Sequence, residues 1–356
     1  MINQMKRSAV FVALLALAIP TFAQQQPFQE EIEVNAVLLD VIVTDARGNQ
    51  ILGLGPDDFV VKENGVAQPV DSVDYFTNRR LLNATEENAP FKVERVREER
   101  YFIFFFDKPA DPSVLTSQVT LAREAVRDFV RKDMKETDLV AIAGHDVRLK
   151  IYSDFTNDRK QLERALNEAT RFGRGITKPN AQAEGASILR TLDTEKMVDK
   201  SGTVYQALDL LADAVRPIRG RKNLVVFSPG IVDREENVAA GQMLTNRSRY
   251  LDPALESLNA ANVSVYGVQL QNNAPAATYV HQRLSELSES TGGRYFQFNT
   301  NFRNAVNNVE ETNAGYYLLT YRSKQPRGAT GFQKVNVSLR NPEFRVVSRS
   351  GYQLGS

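Results

Sequence analysis

The chain has 356 residues, of which 42% are hydrophobic and 24% charged, values typical of a globular protein rather than of a disordered or multi-span membrane protein. Its 44 basic and 43 acidic residues nearly cancel, so the overall charge favours neither nucleic acid nor an anionic membrane surface as a partner. Cysteine is absent and only His145 and His281 are histidines, which excludes disulfides and thiolate nucleophiles and argues against a histidine-rich metal site.

Residues 1–23 resemble a secretory signal peptide. Lys6 and Arg7 precede the apolar run 9–19, and Thr21 and Ala23 supply the small residues at the −3 and −1 positions of a signal peptidase site. The run is shorter than the roughly 20 apolar residues that span a membrane; an uncleaved amphipathic anchor is the alternative. We therefore predict an exported protein, periplasmic or secreted, whose mature chain begins near Gln24 and has no membrane span.

Residues 24–78 are predicted to form an N-terminal β segment. Apolar and polar side chains alternate from Ile32 to Val43, as in a half-buried strand. The dipeptide Asn64-Gly65 between two apolar runs is a strong hairpin signal. The charged stretch 79–99 lacks an apolar period, and we predict a linker or a long exposed loop there.

Between residues 100 and 314, apolar strands alternate with amphipathic helices. The first strand, Tyr101–Phe106, is continuously apolar, as expected for a strand that is covered on both faces. The alternation predicts an α/β domain with a mostly parallel sheet and helices on both sides. A long polar insertion at residues 171–202 interrupts the pattern, and loops of this length are usually functional or mobile.

Residues 315–356 return to a β pattern. Neither this C-terminal segment nor residues 24–78 has many strands, and small isolated sheets are marginally stable in water. Because the two ends of a domain often lie close together, we predict that the segments pack as one small β-sandwich-like domain. The α/β domain would then be inserted between its two halves.

Several common enzyme motifs are missing. The chain lacks the phosphate-binding loop, the dinucleotide-binding glycines, the zinc-protease motif and the nucleophile elbow. His145 follows a strand, but the sequence identifies neither a serine nucleophile nor an orienting carboxylate for it. We predict a non-enzymatic protein, with a metal-dependent hydrolase that uses Asp107, Asp111 and His145 as the minor alternative.

Asp107 directly follows the first strand of the α/β region, at the end of an open sheet where ligand sites lie. The order strand, Asp, long helix, hairpin strands, helix, Gly-Thr-helix, strand and Ser-x-Gly resembles a von Willebrand factor A domain. With its flanking β segments, the chain is similar over almost the whole mature length to the exported von Willebrand factor A-related family described from acidobacteria. The fragments that carry this resemblance are Asp154–Asp158, Ser201–Leu208, Arg221–Gly230, Ala261–Tyr266 and Tyr316–Tyr321.

The resemblance implies a metal-ion-dependent adhesion site, in which D-x-S-x-S, a Thr and an Asp hold a divalent cation such as Mg²⁺ through oxygen ligands. Asp107 matches the first Asp, and Thr203 matches the Thr. Pro109 and Asp111 replace the two serines, and Pro229 replaces the second Asp. We therefore predict a degenerate site with no cofactor, or at most a weakly held divalent cation, for which Asp111 is a substitute ligand.

The resemblance and the missing enzyme motifs together predict a protein-binding module of the adhesion type. Its partner would be an unknown protein of the cell envelope or exterior. The residues predicted to bind it are Asp107, Thr203 and three basic side chains of the insertion, Arg171, Arg174 and Lys178. A structural or envelope-assembly scaffold is the alternative, which a pull-down from envelope extract would distinguish from adhesion.

Overall fold

A computed structural model describes residues 36–46, 48–77, 93–94, 99–109, 112–178, 185–231, 248–270, 278–297, 301–312, 315–326 and 329–354. All of them belong to one compact unit, Asn35–Ser356. The predicted signal peptide, most of the predicted linker and Asp111 lie outside the described residues. The predictions for these parts, and the domain boundaries, therefore stay predictions.

The strands of the described residues are β1 Ala36–Thr44, β2 Phe59–Glu63, β3 Val66–Gln68, β4 Val70–Thr77, β5 Val93–Glu94, β6 Arg100–Asp107, β7 Asp138–Asp146, β8 Arg148–Thr156, β9 Lys222–Ser228, β10 Val263–Gln269, β11 Arg294–Phe296, β12 Gly315–Arg322, β13 Gly331–Leu339, β14 Arg345–Ser348 and β15 Gly351–Leu354. The helices are α1 Pro112–Asp128, α2 Arg159–Thr170, α3 Thr194–Asp199, α4 Val204–Val215, α5 Leu251–Ala260, α6 Thr278–Ser290 and α7 Phe302–Thr312. Within the described ranges, none of these helices combines the length and apolar character needed to cross a membrane.

The central sheet has the strand order β11-β10-β9-β6-β7-β8. Neighbouring strands are parallel except β7 and β8, which form an antiparallel hairpin at one edge. The chain thus follows the element order on which the von Willebrand factor A resemblance depends. The predicted α/β fold class, with a mostly parallel sheet and helices on both sides, is confirmed.

The continuously apolar strand β6 contributes to two hydrophobic cores, because successive side chains point to opposite faces of a sheet. Phe102, Phe104 and Phe106 pack in the core with α1, α2 and α7. Ile103 and Phe105 pack in the other core, with α4 and α5. All five side chains are at most 1% exposed, so β6 lies at the centre of the molecule.

The N- and C-terminal β segments form their sheets together. β1 lies between β14 and β12 in the sheet β14-β1-β12-β4-β5, and β2 lies beside β13 in the sheet β15-β13-β2-β3. The four pairings of described strands that join the two chain ends are β1–β12, β1–β14, β4–β12 and β2–β13, and all are antiparallel. Leu39 and Tyr317 of the first sheet share one core with Val61 and Val335 of the second. The predicted β-sandwich-like arrangement of the two segments is therefore confirmed.

Lys222, at the start of β9, is a buried cation. Its side chain is 1% exposed, and its Nζ donates a hydrogen bond to the carbonyl oxygen of Ile218 at 2.7 Å. Burial and the nearby charge of Arg349 lower the pKa of Lys222 to about 8, although Asp40 acts in the opposite direction. The folded protein therefore releases this proton more readily than a solvated lysine does.

We expect this lysine to make the protein more stable as the pH rises from about 7.5 to about 9.5. The pKa is about 8 in the folded chain and about 10.4 in the unfolded chain, so the unfolded chain binds more protons between these values. Each pH unit above 8 then raises the free energy of unfolding by about 1.4 kcal/mol, which gives a total rise of about 2 kcal/mol by pH 9.5. Guanidinium titrations at both pH values measure this gain, which Lys222→Met should abolish. The same gain in that variant would contradict the assignment.

Candidate functional site

The carboxyl ends of β6, β7 and β9 meet at one edge of the central sheet, where open α/β sheets carry their ligand sites. Asp107 ends β6 and lies opposite His145 of β7 in the strand register. Ser228 ends β9, which pairs with β6 on its other side. We call this edge, with Asp107, His145, Ser228 and the adjoining loops, the loop face.

Asp107 is the centre of a buried polar network at the loop face. Its side chain is 9% exposed, and Oδ2 accepts a hydrogen bond from the Ser228 hydroxyl at 2.6 Å. Oδ1 lies 3.6 Å from Nδ1 of His145, whose Nε2 lies 3.1 Å from the carbonyl oxygen of Ser201. The Ser201 hydroxyl accepts the N–H of Leu149 at 2.9 Å. The network thus joins the ends of three strands to the end of the insertion.

The network differs from a nucleophilic catalytic triad. In a triad the serine is hydrogen-bonded to histidine, which can take its proton. Here Ser228 donates to Asp107, and Nε2 of His145 faces a backbone carbonyl. The Ser228 hydroxyl thus contacts a carboxylate and not a histidine, and these contacts hold the strand ends together.

Thr203 is the N-cap of α4. Its hydroxyl accepts the backbone N–H of Gln206 at 3.2 Å and donates to Oε1 of the same glutamine at 3.2 Å. The backbone N–H of Thr203 donates to that Oε1 at 3.1 Å. This reciprocal capping box satisfies donors at the start of the helix. Thr203 and Gln206 therefore stabilise the start of α4, and the sequence motif did not predict this role for Gln206.

The residues that the resemblance assigns to a metal fit a divalent cation poorly. The oxygens of Asp107 and Thr203 are engaged in the contacts just described, and Pro109 and Pro229 have no side-chain oxygen. Mg²⁺ requires six oxygen ligands in near-octahedral geometry and usually keeps several waters. No cluster of three or more Asp, Glu or His side chains in the described ranges is placed to hold a metal ion. Asp111, the substitute ligand, lies outside those ranges.

The second part of the insertion is docked on the protein core. Ile188 and Leu192 are buried in the core that contains α4, and residues 194–199 form α3. The carboxylate of Asp154 accepts hydrogen bonds from the Ile188 N–H at 2.7 Å and from the Ser187 hydroxyl at 2.5 Å. The polar composition of the insertion predicted neither this helix nor these buried contacts.

The first part of the insertion runs along the outer edge of β8. The Ile176 N–H donates to the carbonyl oxygen of Ile151 at 2.6 Å. Lys150 Nζ donates to the carbonyl oxygens of Phe172 at 3.0 Å and Gly173 at 3.2 Å. These bonds place the segment that carries the predicted binding residues beside the hairpin β7–β8. All three of those residues are exposed: Arg171, Arg174 and Lys178.

No profile of a known protein family matches the chain, and no curated protein matches it. Solved structures with a similar fold include the conserved hypothetical protein BatB from Bacteroides thetaiotaomicron, at 12% identity over 60% of this chain and 98% of that chain, with a TM-score of 0.38. The ArnB paralog VWA2 from Sulfolobus acidocaldarius is 8% identical over 90% of this chain and 74% of its own, with a TM-score of 0.36. The vWF domain of the type V pili tip protein Mfa5 from Porphyromonas gingivalis is 9% identical over 61% and 96%, with a TM-score of 0.38. At these identities the similarity concerns the fold alone and assigns no function.

Proposed function

We propose that this protein is an exported, non-enzymatic module of the von Willebrand factor A type that binds another protein through its loop face. The observation that carries the proposal is the construction of that face. Asp107 accepts a hydrogen bond from Ser228 and lies beside His145, which contacts the docked insertion, so several separate chain segments form one supported surface. Binding residues are commonly placed on loops that a rigid scaffold positions in this way.

Export is part of the proposal, as is membership of the exported von Willebrand factor A-related family described from acidobacteria. The signal-like residues 1–23 support export, and the fragments Ser201–Leu208 and Arg221–Gly230 support the family. We expect the partner to be a protein of the cell envelope or exterior. N-terminal sequencing of protein purified from the envelope fraction should begin near Gln24, whereas an intact Met1 on cytoplasmic protein would contradict export.

A pull-down from envelope extract tests the binding function. The mature protein should retain a partner that also binds after both proteins are purified, and the exchange Arg174→Glu at the loop face should weaken that binding. Lys62→Glu, an exposed cation on β2 in the β-sandwich-like part, is the matched control and should leave binding unchanged. If the wild-type protein retains nothing beyond an empty resin, the proposed function is wrong.

The alternative function, a structural or envelope-assembly scaffold, would place the partner elsewhere. Two exposed apolar side chains on the β-sandwich-like part favour this alternative, Leu38 of β1 at 52% exposure and Val66 of β3 at 58%. A captured partner whose affinity falls with Leu38→Ser or Val66→Asn, but not with Arg174→Glu, would therefore indicate the scaffold function.

Partner binding should not depend on a divalent metal. Asp107 and Thr203 already have hydrogen-bond partners, and the two prolines offer no side-chain oxygen, so a cation would have too few ligands to replace its water shell. In a binding titration, chelator should change the dissociation constant by less than about threefold, which is under 1 kcal/mol. Asp107→Asn keeps an acceptor for Ser228, and its binding should be as insensitive to chelator as that of the wild type. Binding that chelator abolishes and Mg²⁺ or Mn²⁺ restores would show a working metal site.

A further inference from the structure

Two bulky residues of the loop face have a strained backbone. Among the described residues, four that are not glycine have a positive φ. Asn64 and Asn262 are asparagines, which adopt this region readily. Val147, with a φ of 65°, and Phe172, with a φ of 51°, are a β-branched and an aromatic residue, for which the conformation is unusual. Strain of this kind concentrates at functional sites.

The two strained residues are connected through lysine side chains. Lys150 Nζ donates to the carbonyl oxygen of Phe172 at 3.0 Å and to Oδ2 of Asp146 at 3.1 Å. Lys108 Nζ donates to Oδ1 of Asp146 at 3.0 Å and lies 5.7 Å from the centre of the Phe172 ring. The turn at Val147 and the start of the insertion therefore brace each other, and both lie beside Asp107.

Val147 is the whole turn between β7 and β8, because Asp146 pairs with Arg148. Its side chain is 73% exposed, the largest value among the exposed large hydrophobic side chains of the described residues. Glycine or asparagine would adopt this backbone with less strain and less apolar exposure. A valine that is held outward on a braced turn therefore suits an apolar contact with another protein better than it suits the isolated fold.

The surface around Val147 is positively charged. Asp146 is neutralised by Lys108 and Lys150, and one exposed carboxylate, Glu168 of α2, lies beside Gly173 of the insertion. β8 and the insertion carry four exposed cations that have no ion pair with a described residue: Arg148, Arg171, Arg174 and Lys178. The end of the hairpin thus presents an apolar side chain next to Arg148, and the insertion that borders β8 carries the other three cations.

We propose that this basic corner, made of Val147, Arg148, Arg171, Arg174 and Lys178, binds an acidic segment of the partner protein that carries an apolar side chain. The inference rests on the proposed function and specifies the chemistry of its partner. Val147 supplies the contact that excludes water, and the four cations attract and orient the carboxylates through charge complementarity. No metal ion takes part in this contact.

Fluorescence anisotropy with labelled synthetic peptides tests the charge of the ligand. The probe is a glutamate-rich peptide with one central leucine, and its control has lysine in place of every glutamate. We expect the acidic peptide to bind at least about tenfold more tightly at low salt, and more weakly as added salt screens the charges. The exchange of Arg148 and Arg174 for glutamate should remove this preference. Equal affinity for both peptides would overturn the proposal.

Val147→Asn tests the anchor separately from the charges. Because asparagine tolerates a positive φ, the variant should melt about 2 °C higher than the wild type, while its affinity for the acidic peptide falls about fivefold. Folding therefore cannot explain the weaker binding. Val66→Asn, at a valine with 58% exposure on β3, should change neither quantity. Undiminished peptide binding by Val147→Asn would show that the valine is not an anchor.

The partner captured in the pull-down separates failure of this inference from failure of the proposed function. If Val147→Asn and Arg148→Glu both bind that partner with the affinity of the wild type, the basic corner is not the binding site, although the protein still binds a partner. If the wild-type protein captures no partner, the proposed function itself is wrong. A partner whose affinity falls in both variants supports the basic corner.

Discussion

Phe104→Ala should lower the free energy of unfolding by about 3–5 kcal/mol. Phe104 is 0% exposed and lies in the middle of β6, opposite Ile142 of β7 and Val225 of β9. Its ring centre lies 5.5 Å from that of Phe129 in an edge-to-face contact. Strands on both sides keep the backbone in place, so the neighbours cannot close the cavity that the missing ring leaves.

Guanidinium unfolding of both proteins measures this loss, provided that the dependence on denaturant concentration is the same in the two. Leu121→Ala is the control, because Leu121 is a large apolar residue of α1 with 48% exposure. Leu121→Ala should lower the free energy of unfolding far less, since about half of the Leu121 surface already contacts water. A loss below about 1 kcal/mol for Phe104→Ala would contradict the central position of β6.

The sequence predicts those parts of the fold that depend on local patterns. The apolar run of β6 indicated a strand buried on both faces, and the structure buries it so. Asn64-Gly65 predicted a hairpin, and the two residues have φ values of 47° and 84° between β2 and β3, as this turn requires. Hydrophobic period and turn chemistry act within a few residues, so they can be recognised without the tertiary structure.

The site was predicted only in part, because its contacts join distant parts of the chain. Asp107 was identified from its place after a strand, whereas Ser228, which donates to it, lies 121 residues further on. The carbonyl group of Ser201 contacts His145 across 56 residues. Only the pairing of β6 with β7 and β9 brings these groups together, and residue spacing alone does not specify that pairing.

The insertion shows a different limit of sequence analysis. Its composition is polar, yet Ile188 and Leu192 are buried, and the carboxylate of Asp154 holds the backbone beside them. A few anchoring residues dock a segment whose average character predicts an exposed loop. Arg171 and Arg174 belong to the first part of the insertion, which separate hydrogen bonds to Ile151 and Lys150 hold beside β8.

Asp138→Ala should also cost about 3–5 kcal/mol of stability, since it leaves a buried guanidinium without its main partner. Asp138 accepts two hydrogen bonds from Arg100, from Nε and Nη2, both at 2.7 Å. The side chains are 0% and 9% exposed. Burial lowers the pKa of Arg100, but Asp138 and Glu310 together raise it above its usual value. Arginine is not deprotonated in proteins, so Arg100 stays charged in the variant, and Glu310, at 3.0 Å from Nη1, compensates only in part.

The exposed pair Arg131–Glu163 provides a control with the same two-bond geometry, at 2.7 and 2.9 Å. Water screens that pair, so Glu163→Ala should cost much less than Asp138→Ala in the same guanidinium titration. Replacing both buried partners, as Arg100→Met with Asp138→Leu, should restore much of the stability that Asp138→Ala removes, because no unpaired charge remains. If Asp138→Ala costs no more than Glu163→Ala, the buried ion pair does not stabilise the amino-terminal edge of the central sheet.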